Sequence, residues 1–219
     1  VLPEDRGYKI RSEKPSVVSK LSVASLVDIV KAANLRDRSI LLVKWQSLQD
    51  AARLVYIDRH CGEELARAVR RDESPVRLDF PGQKNNDQGY YTFIGRDSID
   101  SLKMYFENER GYPRKGETVW RSKEGKGLTR NMVNGLWENL LRRIGLIPPT
   151  RGNSPGTRYG YFAHDMRDVA KSLLHTHAKA EGFDMDCCEF WLGHTVDALG
   201  YDKFYNDKEY VRKQYLIAE

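Results

Sequence analysis

The sequence predicts a mainly α-helical protein with a small antiparallel β-sheet. From residue 21 onward, apolar residues recur at helical spacing over most of the chain. Only residues 76–95 show a clear strand-like alternation of apolar and polar residues, which turns back on itself. With 219 residues, of which 40% are hydrophobic and 31% charged, the chain is long enough for one large domain with its own core.

The first third is predicted to be an arm followed by helices. Residues 1–20 are polar and turn-rich, which is typical of a linker or N-terminal arm and fits a disordered terminus equally well. Ser22 or Ser25 can cap the first helix, because a serine hydroxyl accepts from the first free backbone amides. Apolar spacing then predicts helices, in order, through residues 26–33, 40–45, 47–57 and 63–70.

Residues 76–95 predict the β-hairpin of the small sheet. Val76, Leu78 and Phe80 alternate with polar residues, an Asn-Asn-Asp turn follows, and the alternation then resumes. Lys84 lies near the predicted tip, where a flexible ammonium could reach a nucleic-acid phosphate or base edge. Most lysines in such a position are solvated turn residues, so the hairpin alone does not assign Lys84 a role.

The rest of the chain is again predicted to be helical. A short strand is expected around residues 118–120, inside a Gly- and Lys-rich connection. Gly145 is expected to end the helix predicted over residues 130–144. Residues 147–162 form a turn-rich loop. The apolar spacing predicts helices over residues 97–109, 130–144, 164–178, 185–193 and 207–218.

Charge and composition limit the possible settings. The net charge of +5 permits a polyanionic partner without requiring one. No apolar run reaches the ~18 residues of a membrane span, and without a basic region followed by an apolar stretch we expect no secretory signal. Three cysteines, two of them adjacent, favour a reducing compartment over a disulfide framework. We therefore expect a cytoplasmic protein without a membrane partner.

The last third carries the residues that predict chemistry. His164 and Arg167 lie three residues apart on a predicted helix, so both can face one small anion. His194 ends a Leu-Gly-His sequence, and two tyrosines, Tyr201 and Tyr205, follow it. A guanidinium suits a phosphate, an imidazole can hydrogen-bond or move a proton, and a nearby phenol can act as nucleophile. The pattern predicts a phosphoryl-transfer site that needs no metal or other cofactor.

This ordered set resembles the C-terminal motifs of the tyrosine recombinase, or phage-type integrase, family. The resemblance covers roughly residues 21–219 and implies the catalytic-domain fold of that family. It implies a site-specific DNA recombinase that cleaves and rejoins strands through a 3′-phosphotyrosine intermediate. It also implies that residues 1–20 connect to an N-terminal core-binding domain, which we expect to lie outside this sequence.

The resemblance further implies a role for each residue. Arg167 would neutralise the scissile phosphate, His164 and His194 would orient it, and Lys84 would protonate the leaving oxygen. The family usually places its tyrosine about nine residues after this histidine, where the present chain has Lys203. Integrase-like sequences with a GYDK or NYDK segment favour Tyr201 as nucleophile, with Tyr205 as the alternative.

The first arginine box of the family, T-G-x-R-x-x-E-L, matches residues 47–54 with a departure. Asp50 stands where the arginine is expected and Arg53 where the glutamate is expected. Arg53 could present its guanidinium to the site from one turn further along. Alternatively, Arg53 pairs with Asp50, or the site lacks its first arginine.

The expected partner is double-stranded DNA. Arg151 and Arg158, in the loop before the motif region, are predicted to include a contact to the DNA backbone. Self-association into a dimer or tetramer on DNA is expected. The C-terminal helix is a candidate for that interface, and packing of that helix on its own domain is equally compatible with the sequence. When bound to DNA, the protein would be associated with the nucleoid.

Three alternatives remain open at the level of sequence. Asp50 in the arginine box favours a DNA-binding module of the same fold with impaired catalysis. A type IB topoisomerase-like enzyme would share the phosphotyrosine chemistry but would relax DNA without exchanging partners. A zinc protein could use the side chains of His175, His177, Cys187 and Cys188, although adjacent cysteines do not form the usual C-x-x-C ligand pair.

Overall fold

The computed structural model describes residues 19–82, 89–122, 124–149, 159–194, 196 and 203–219. These residues form a mainly helical domain with one two-stranded antiparallel sheet, which confirms the predicted fold class. The helices within them are α1 (Val23–Ala32), α2 (Leu35–Ser47), α3 (Ala51–His60), α4 (Gly62–Arg70), α5 (Arg96–Tyr105), α6 (Arg130–Arg143), α7 (Asp165–Thr176), α8 (Met185–Trp191), α9 (Lys203–Asn206) and α10 (Lys208–Ala218). A π-helical turn at Phe106–Arg110 follows α5, and a 3-10 turn at Ala178–Glu181 follows α7.

The hairpin packs against two of the helices, α2 and α8. Strands β1 (Val76–Phe80) and β2 (Tyr90–Ile94) pair from Val76 opposite Ile94 to Phe80 opposite Tyr90. Every residue of β2 is buried, because α2 and α8 both pack against it. A two-stranded hairpin is marginally stable alone, so these helices stabilise it. The predicted tip residue Lys84 lies outside the described residues.

The predicted helix over residues 47–57 is wrong at its N-terminal end. Ser47 ends α2, Leu48 takes a left-handed conformation with φ of 58°, and α3 begins only at Ala51. Asp50 caps α3, since its Oδ1 accepts from the amide of Arg53 at 2.9 Å. Residues 48–50 therefore form a turn between two helices, which we call the α2–α3 turn.

The strand predicted around residues 118–120 is also wrong. The backbone amides there bond to one buried carboxylate residue, Asp58, and not to a neighbouring strand. Val119 N donates to Asp58 O at 2.9 Å, and Trp120 N donates to Asp58 Oδ1 at 2.8 Å. Leu128 N donates to the other carboxylate oxygen at 2.7 Å. Burial raises the pKa of Asp58 from its usual value, while these amide hydrogen bonds oppose that rise.

The C-terminal helix α10 packs against its own chain. Val211 and Tyr215 are buried in the core, and Gln214 Oε1 accepts from Asp184 N at 2.7 Å. Leu216 and Ile217 on the same helix remain exposed. No helix within the described ranges is long and apolar enough to cross a membrane.

Candidate functional site

The structure brings the two halves of the predicted motif together where α7 begins and α8 ends. His164 immediately precedes α7, and its carbonyl accepts from the backbone amide of Arg167 at 2.9 Å. The Arg167 guanidinium reaches across to the carbonyl of Leu192 at 3.4 Å. Leu192 is two residues before His194, so the H-x-x-R and L-G-H segments lie at one site.

A carboxylate that the sequence analysis missed holds His194 in place. Glu189 Oε2 contacts His194 Nδ1 at 2.6 Å, and Glu189 Oε1 forms an ion pair with Lys171. Partial burial raises the pKa of Glu189, but the hydrogen bonds with Lys171 and His194 outweigh it and lower the pKa overall. Because Nδ1 of His194 contacts Glu189, Nε2 is the ring nitrogen that can bind a ligand. We call Arg167, Lys171, Glu189 and His194 the α7–α8 cluster.

The segment that carries one of the predicted nucleophiles is anchored beside this cluster. The Tyr91 hydroxyl of β2 donates to the backbone oxygen of Phe204 at 2.6 Å, and Phe204 itself is buried. The Phe204 ring lies 6.0 Å from the ring of Phe190 on α8. These contacts hold α9 against α8 and the sheet. The backbone of Tyr205 belongs to α9. The side chain of Tyr205 and the whole of Tyr201 lie outside the part of the chain that the structure describes.

Gln49 fixes the α2–α3 turn against the same end of α8. Its side-chain amide donates to the carbonyls of Ser47 and Trp191, both at 2.8 Å. Its Oε1 accepts from the Tyr90 hydroxyl of β2 at 2.9 Å. The turn, the sheet and the helix before His194 are thus joined through one buried side chain.

Arg53 contacts the base of the hairpin. Its Nη2 donates to Pro81 O at 3.3 Å, and its guanidinium carbon lies 5.7 Å and 5.4 Å from the ring centroids of Phe80 and Tyr90. Such placement over aromatic faces is a favourable cation–π arrangement. Asp50 pairs with the backbone amide of Arg53, and not with its guanidinium. The contacts of Arg53 therefore direct its charge toward the hairpin.

A cavity of about 200 Å³ opens between the α2–α3 turn and the residue that precedes α7. It is lined by Lys44, Asp50, Ala51, Ala52, Arg130, Asn134, Ala163 and His164. Lys44 is only 2% exposed, and its Nζ donates to Gln49 O at 3.1 Å. Burial, together with the nearby charge of Arg167, lowers the pKa of Lys44 to about 8. The sequence analysis did not single out Lys44, although its place inside the apolar stretch Ile-Leu-Leu-Val-Lys-Trp indicates a buried lysine.

Other tyrosines of the C-terminal region are engaged in packing. Hydrogen bonding to Asp184 raises the pKa of Tyr210 to about 12. Burial raises the pKa of Tyr215 well above its ordinary value. Both shifts disfavour the phenolate that a nucleophile must form, so Tyr210 and Tyr215 are poor candidates for that role.

The residues of the zinc hypothesis do not assemble into a ligand set. Cys187 and Cys188 are buried, whereas His175 and His177 are exposed. Within the described part of the chain, no group of three histidine, cysteine or acidic residues could hold a metal ion. Burial raises the pKa of the Cys188 thiol to about 11, which disfavours the thiolate that zinc requires.

The predicted DNA-contacting residues Arg151 and Arg158 lie outside the described ranges.

Comparison with solved structures identifies the fold. A XerA recombinase matches 93% of this chain with a TM-score of 0.58 and 15% identity, over 66% of its own length. A XerH site-specific recombinase in pre-cleavage complex with its difH substrate matches 90% of this chain with a TM-score of 0.52 and 14% identity, over 51% of its own length. A post-cleavage complex of XerH on a palindromic difH substrate matches 93% of this chain with a TM-score of 0.52 and 16% identity, over 54% of its own length.

The chain thus has the catalytic-domain fold of tyrosine recombinases, as its motifs predicted. It spans between about half and two thirds of the length of these recombinases. No protein-family model and no curated protein sequence matches it. At these identities the likeness concerns the fold, and the chemistry has to be argued from the side chains.

Proposed function

We propose that the chain is the catalytic domain of a site-specific DNA recombinase that cleaves and rejoins strands through a tyrosine. The observation that supports this proposal is the α7–α8 cluster, in which Arg167 contacts Leu192 O and Glu189 holds His194 two residues further along the chain. The fold of the chain is one that also occurs in XerH complexes with difH DNA. The function does not follow from the fold alone, because one fold can host many activities.

The proposed chemistry needs no cofactor. The phenol oxygen of Tyr201 attacks the scissile phosphorus and gives up its proton to solvent as the new O–P bond forms. The bond from phosphorus to the 5′ oxygen breaks, and Lys84 supplies the proton that this oxygen takes up. The resulting 3′-phosphotyrosine keeps the phosphodiester energy, so a 5′ hydroxyl can reverse the step and rejoin a strand.

The α7–α8 cluster would stabilise the charge that develops on phosphorus. Arg167 can donate to a non-bridging phosphate oxygen, and a guanidinium matches that geometry well. His194, with its Nδ1 engaged by Glu189, can present Nε2 to another oxygen. His164 lines the neighbouring cavity that also contains Lys44 and Asp50. Fixed donors of this kind typically contribute about 10²–10³-fold each to the rate.

The proposed partner is double-stranded DNA, with self-association on the DNA and a cytoplasmic, nucleoid-bound location. Arg151, Arg158 and Lys84 are proposed DNA contacts. Exposed Leu216 and Ile217 on α10 leave apolar surface that a second copy could cover. Phosphate contacts give affinity but no sequence choice, so the target site must be determined experimentally.

A second candidate function is DNA binding without cleavage. Asp50 caps α3 at the position where the resemblance implies an arginine, and the contacts of Arg53 lie at the hairpin. Both observations remove positive charge from the region where a phosphate would sit. A module of this kind would bind DNA through its basic surface and leave the strands intact.

Covalent trapping separates the two candidates. The full-length protein is incubated with duplex DNA of the encoding element's junction, nicked so that the released strand diffuses away and rejoining is impossible. The proposal expects a denaturant-resistant adduct in the wild type and in Tyr205→Phe but not in Tyr201→Phe. Loss only in Tyr205→Phe would reassign the nucleophile and keep the enzyme.

Two further outcomes would exclude recombinase activity. Tight DNA binding without an adduct would establish the binding module. Relaxation of supercoiled plasmid with no recombinant product would instead indicate a topoisomerase-like activity.

A further inference from the structure

The carboxylate of Asp50 places a negative charge at the α2–α3 turn, where it would oppose the binding of a phosphate. Asp50 brings a carboxylate to the wall of the cavity that also contains His164. A phosphate entering this cavity would meet that negative charge, which costs free energy unless a cation compensates it. The Arg53 guanidinium is occupied at the base of the hairpin.

Lys44 is placed to supply the compensating charge. The side chain of Lys44 extends from α2 and lines the same cavity. Its Nζ donates a hydrogen bond of 3.1 Å to Gln49 O. An ammonium has three protons to donate, so this bond leaves donor capacity for an oxygen of a ligand. Gln49 is tied to the backbone of Trp191 at the end of α8, so the position of Nζ is fixed relative to the α7–α8 cluster.

Charged groups of both signs surround Lys44. Arg167 faces Lys44 with a like charge, whereas Asp50, Asp165 and Asp168 oppose it with negative charges. Burying a lysine costs free energy, because burial disfavours its charged form. A function for Lys44 would explain why the chain keeps a lysine there. With a pKa of about 8, Lys44 is still mostly protonated at neutral pH, and a bound phosphate would stabilise that form further.

We propose that Lys44 is a catalytic residue that donates to a non-bridging oxygen of the scissile phosphate, in place of the guanidinium absent from position 50. The inference rests on the proposed function, since it assigns a residue to the same phosphate site. It explains how a chain with Asp50 in the arginine box can keep two cations, Lys44 and Arg167, around one phosphate.

Single-turnover adduct formation on the nicked junction DNA tests the proposal with two variants. Lys44→Met keeps the length of the side chain and removes its charge, and we expect the rate to fall by about 10²-fold. Lys44→Arg restores a cation, and we expect it to recover most of the rate. Lys31→Met, at an exposed position at the end of α1, is the matched control and should leave the rate unchanged.

Stability distinguishes this role from a structural one. A structural lysine would lower the melting temperature when replaced, whereas we expect Lys44→Met to melt at or above the wild-type temperature because it removes a buried charge. The wild-type rate at subsaturating DNA should also fall as the pH rises through about 8, and Lys44→Arg should move that fall to higher pH. A Lys44→Met rate equal to that of the wild type would overturn the proposal.

Binding of orthovanadate, a mimic of the phosphate in the transition state, gives a readout that requires no nucleophile. We expect the wild type to bind it and Lys44→Met to bind it about tenfold more weakly, as for the loss of a charged hydrogen bond. Equal affinity in both proteins would overturn the role of Lys44 even if no adduct forms. If the wild type bound no vanadate, the phosphate site itself would be overturned. If vanadate binding were sensitive to Lys44 but no adduct formed, the site would stand and the cleavage reaction would fall.

Discussion

The α7–α8 cluster and the α2–α3 turn are joined by the side chain of Gln49, but they differ in how closely they follow the recombinase pattern. In the cluster, the expected residue types stand at the expected spacing, and Glu189 supports His194 through a 2.6 Å contact. In the turn, Asp50 stands where an arginine is expected and caps a helix, and the buried Lys44 on α2 lines the same cavity as Asp50. The role that we propose for Lys44 would mean that the fold preserves the place of a positive charge while the residue that supplies it changes.

The strongest test of this comparison replaces one arginine at each region, Arg167 in the α7–α8 cluster and Arg53 in the first turn of α3. We expect Arg167→Ala to reduce the rate of adduct formation by about 10²–10³-fold, because it removes a donor to the developing charge. Arg53→Ala should leave that rate nearly unchanged, since the guanidinium of Arg53 contacts Pro81 and the aromatic rings of the hairpin. Quench-flow measurement of the adduct gives both rates. Equal losses in the two variants would mean that Arg53 does serve the phosphate.

The second prediction concerns the stability cost of Lys44. Burial lowers its pKa from 10.5 to about 8, so the folded state holds its proton less tightly than the unfolded state does. Below about pH 8 the full penalty is present, on the order of 3 kcal/mol, and it is relieved as the pH rises toward 10.5. We expect Lys44→Met to be more stable than the wild type at pH 7, with the difference vanishing above about pH 10.5. Urea unfolding across this pH range measures it, and a variant less stable at pH 7 would contradict the account.

The third prediction tests how the α7–α8 cluster is held together. Glu189→Gln keeps the shape of the side chain but removes the charge that binds Lys171 and His194, so His194 loses its fixed orientation. We expect adduct formation to slow by about 10- to 100-fold, as for a catalytic group displaced slightly. Glu181→Gln, at an exposed position in the 3-10 turn, is the control. An unchanged rate in Glu189→Gln would remove His194 from the mechanism.

Glu189 also gives a dependence of stability on pH. Its pKa is lowered in the folded state, so its stabilising contribution is present above its ordinary pKa and is lost as the pH falls through the folded value. The stability difference between wild type and Glu189→Gln should therefore disappear in acid. Thermal melts at neutral and acidic pH measure this difference, and a difference that persisted in acid would contradict the lowered pKa.

The smallest expected effect concerns Asp50 as a helix cap. Asp50→Ala removes the oxygen that accepts from Arg53 N, and we expect a loss of about 1 kcal/mol of stability. Asp50→Asn keeps an accepting oxygen and should lose only a few tenths of that amount, about 0.3 kcal/mol. Chemical unfolding compares the two variants. Equal losses would show that the charge of Asp50, and not its cap, stabilises the turn.

The sequence predicted the fold well because periodicity and one alternating hairpin are local properties. The ordered motifs also implied that the H-x-x-R and L-G-H segments would meet, and the Arg167 guanidinium does reach the carbonyl of Leu192. The α2–α3 turn was missed because Leu48 occupies a left-handed conformation that a leucine gives no reason to expect. The pairing of Lys171 with Glu189 joins two helices, and no local pattern in the sequence indicates such a contact.

Mass spectrometry of the trapped adduct tests the central claim most directly. The wild-type protein is trapped on the nicked junction DNA, digested with nuclease and protease, and the peptide that carries the residual nucleotide is sequenced. The account predicts a 3′-phosphonucleotide on Tyr201, formed in the wild type and strongly reduced in both Arg167→Ala and Lys44→Met. Saturated DNA binding with no modified tyrosine would contradict it and leave a DNA-binding module with a recombinase fold.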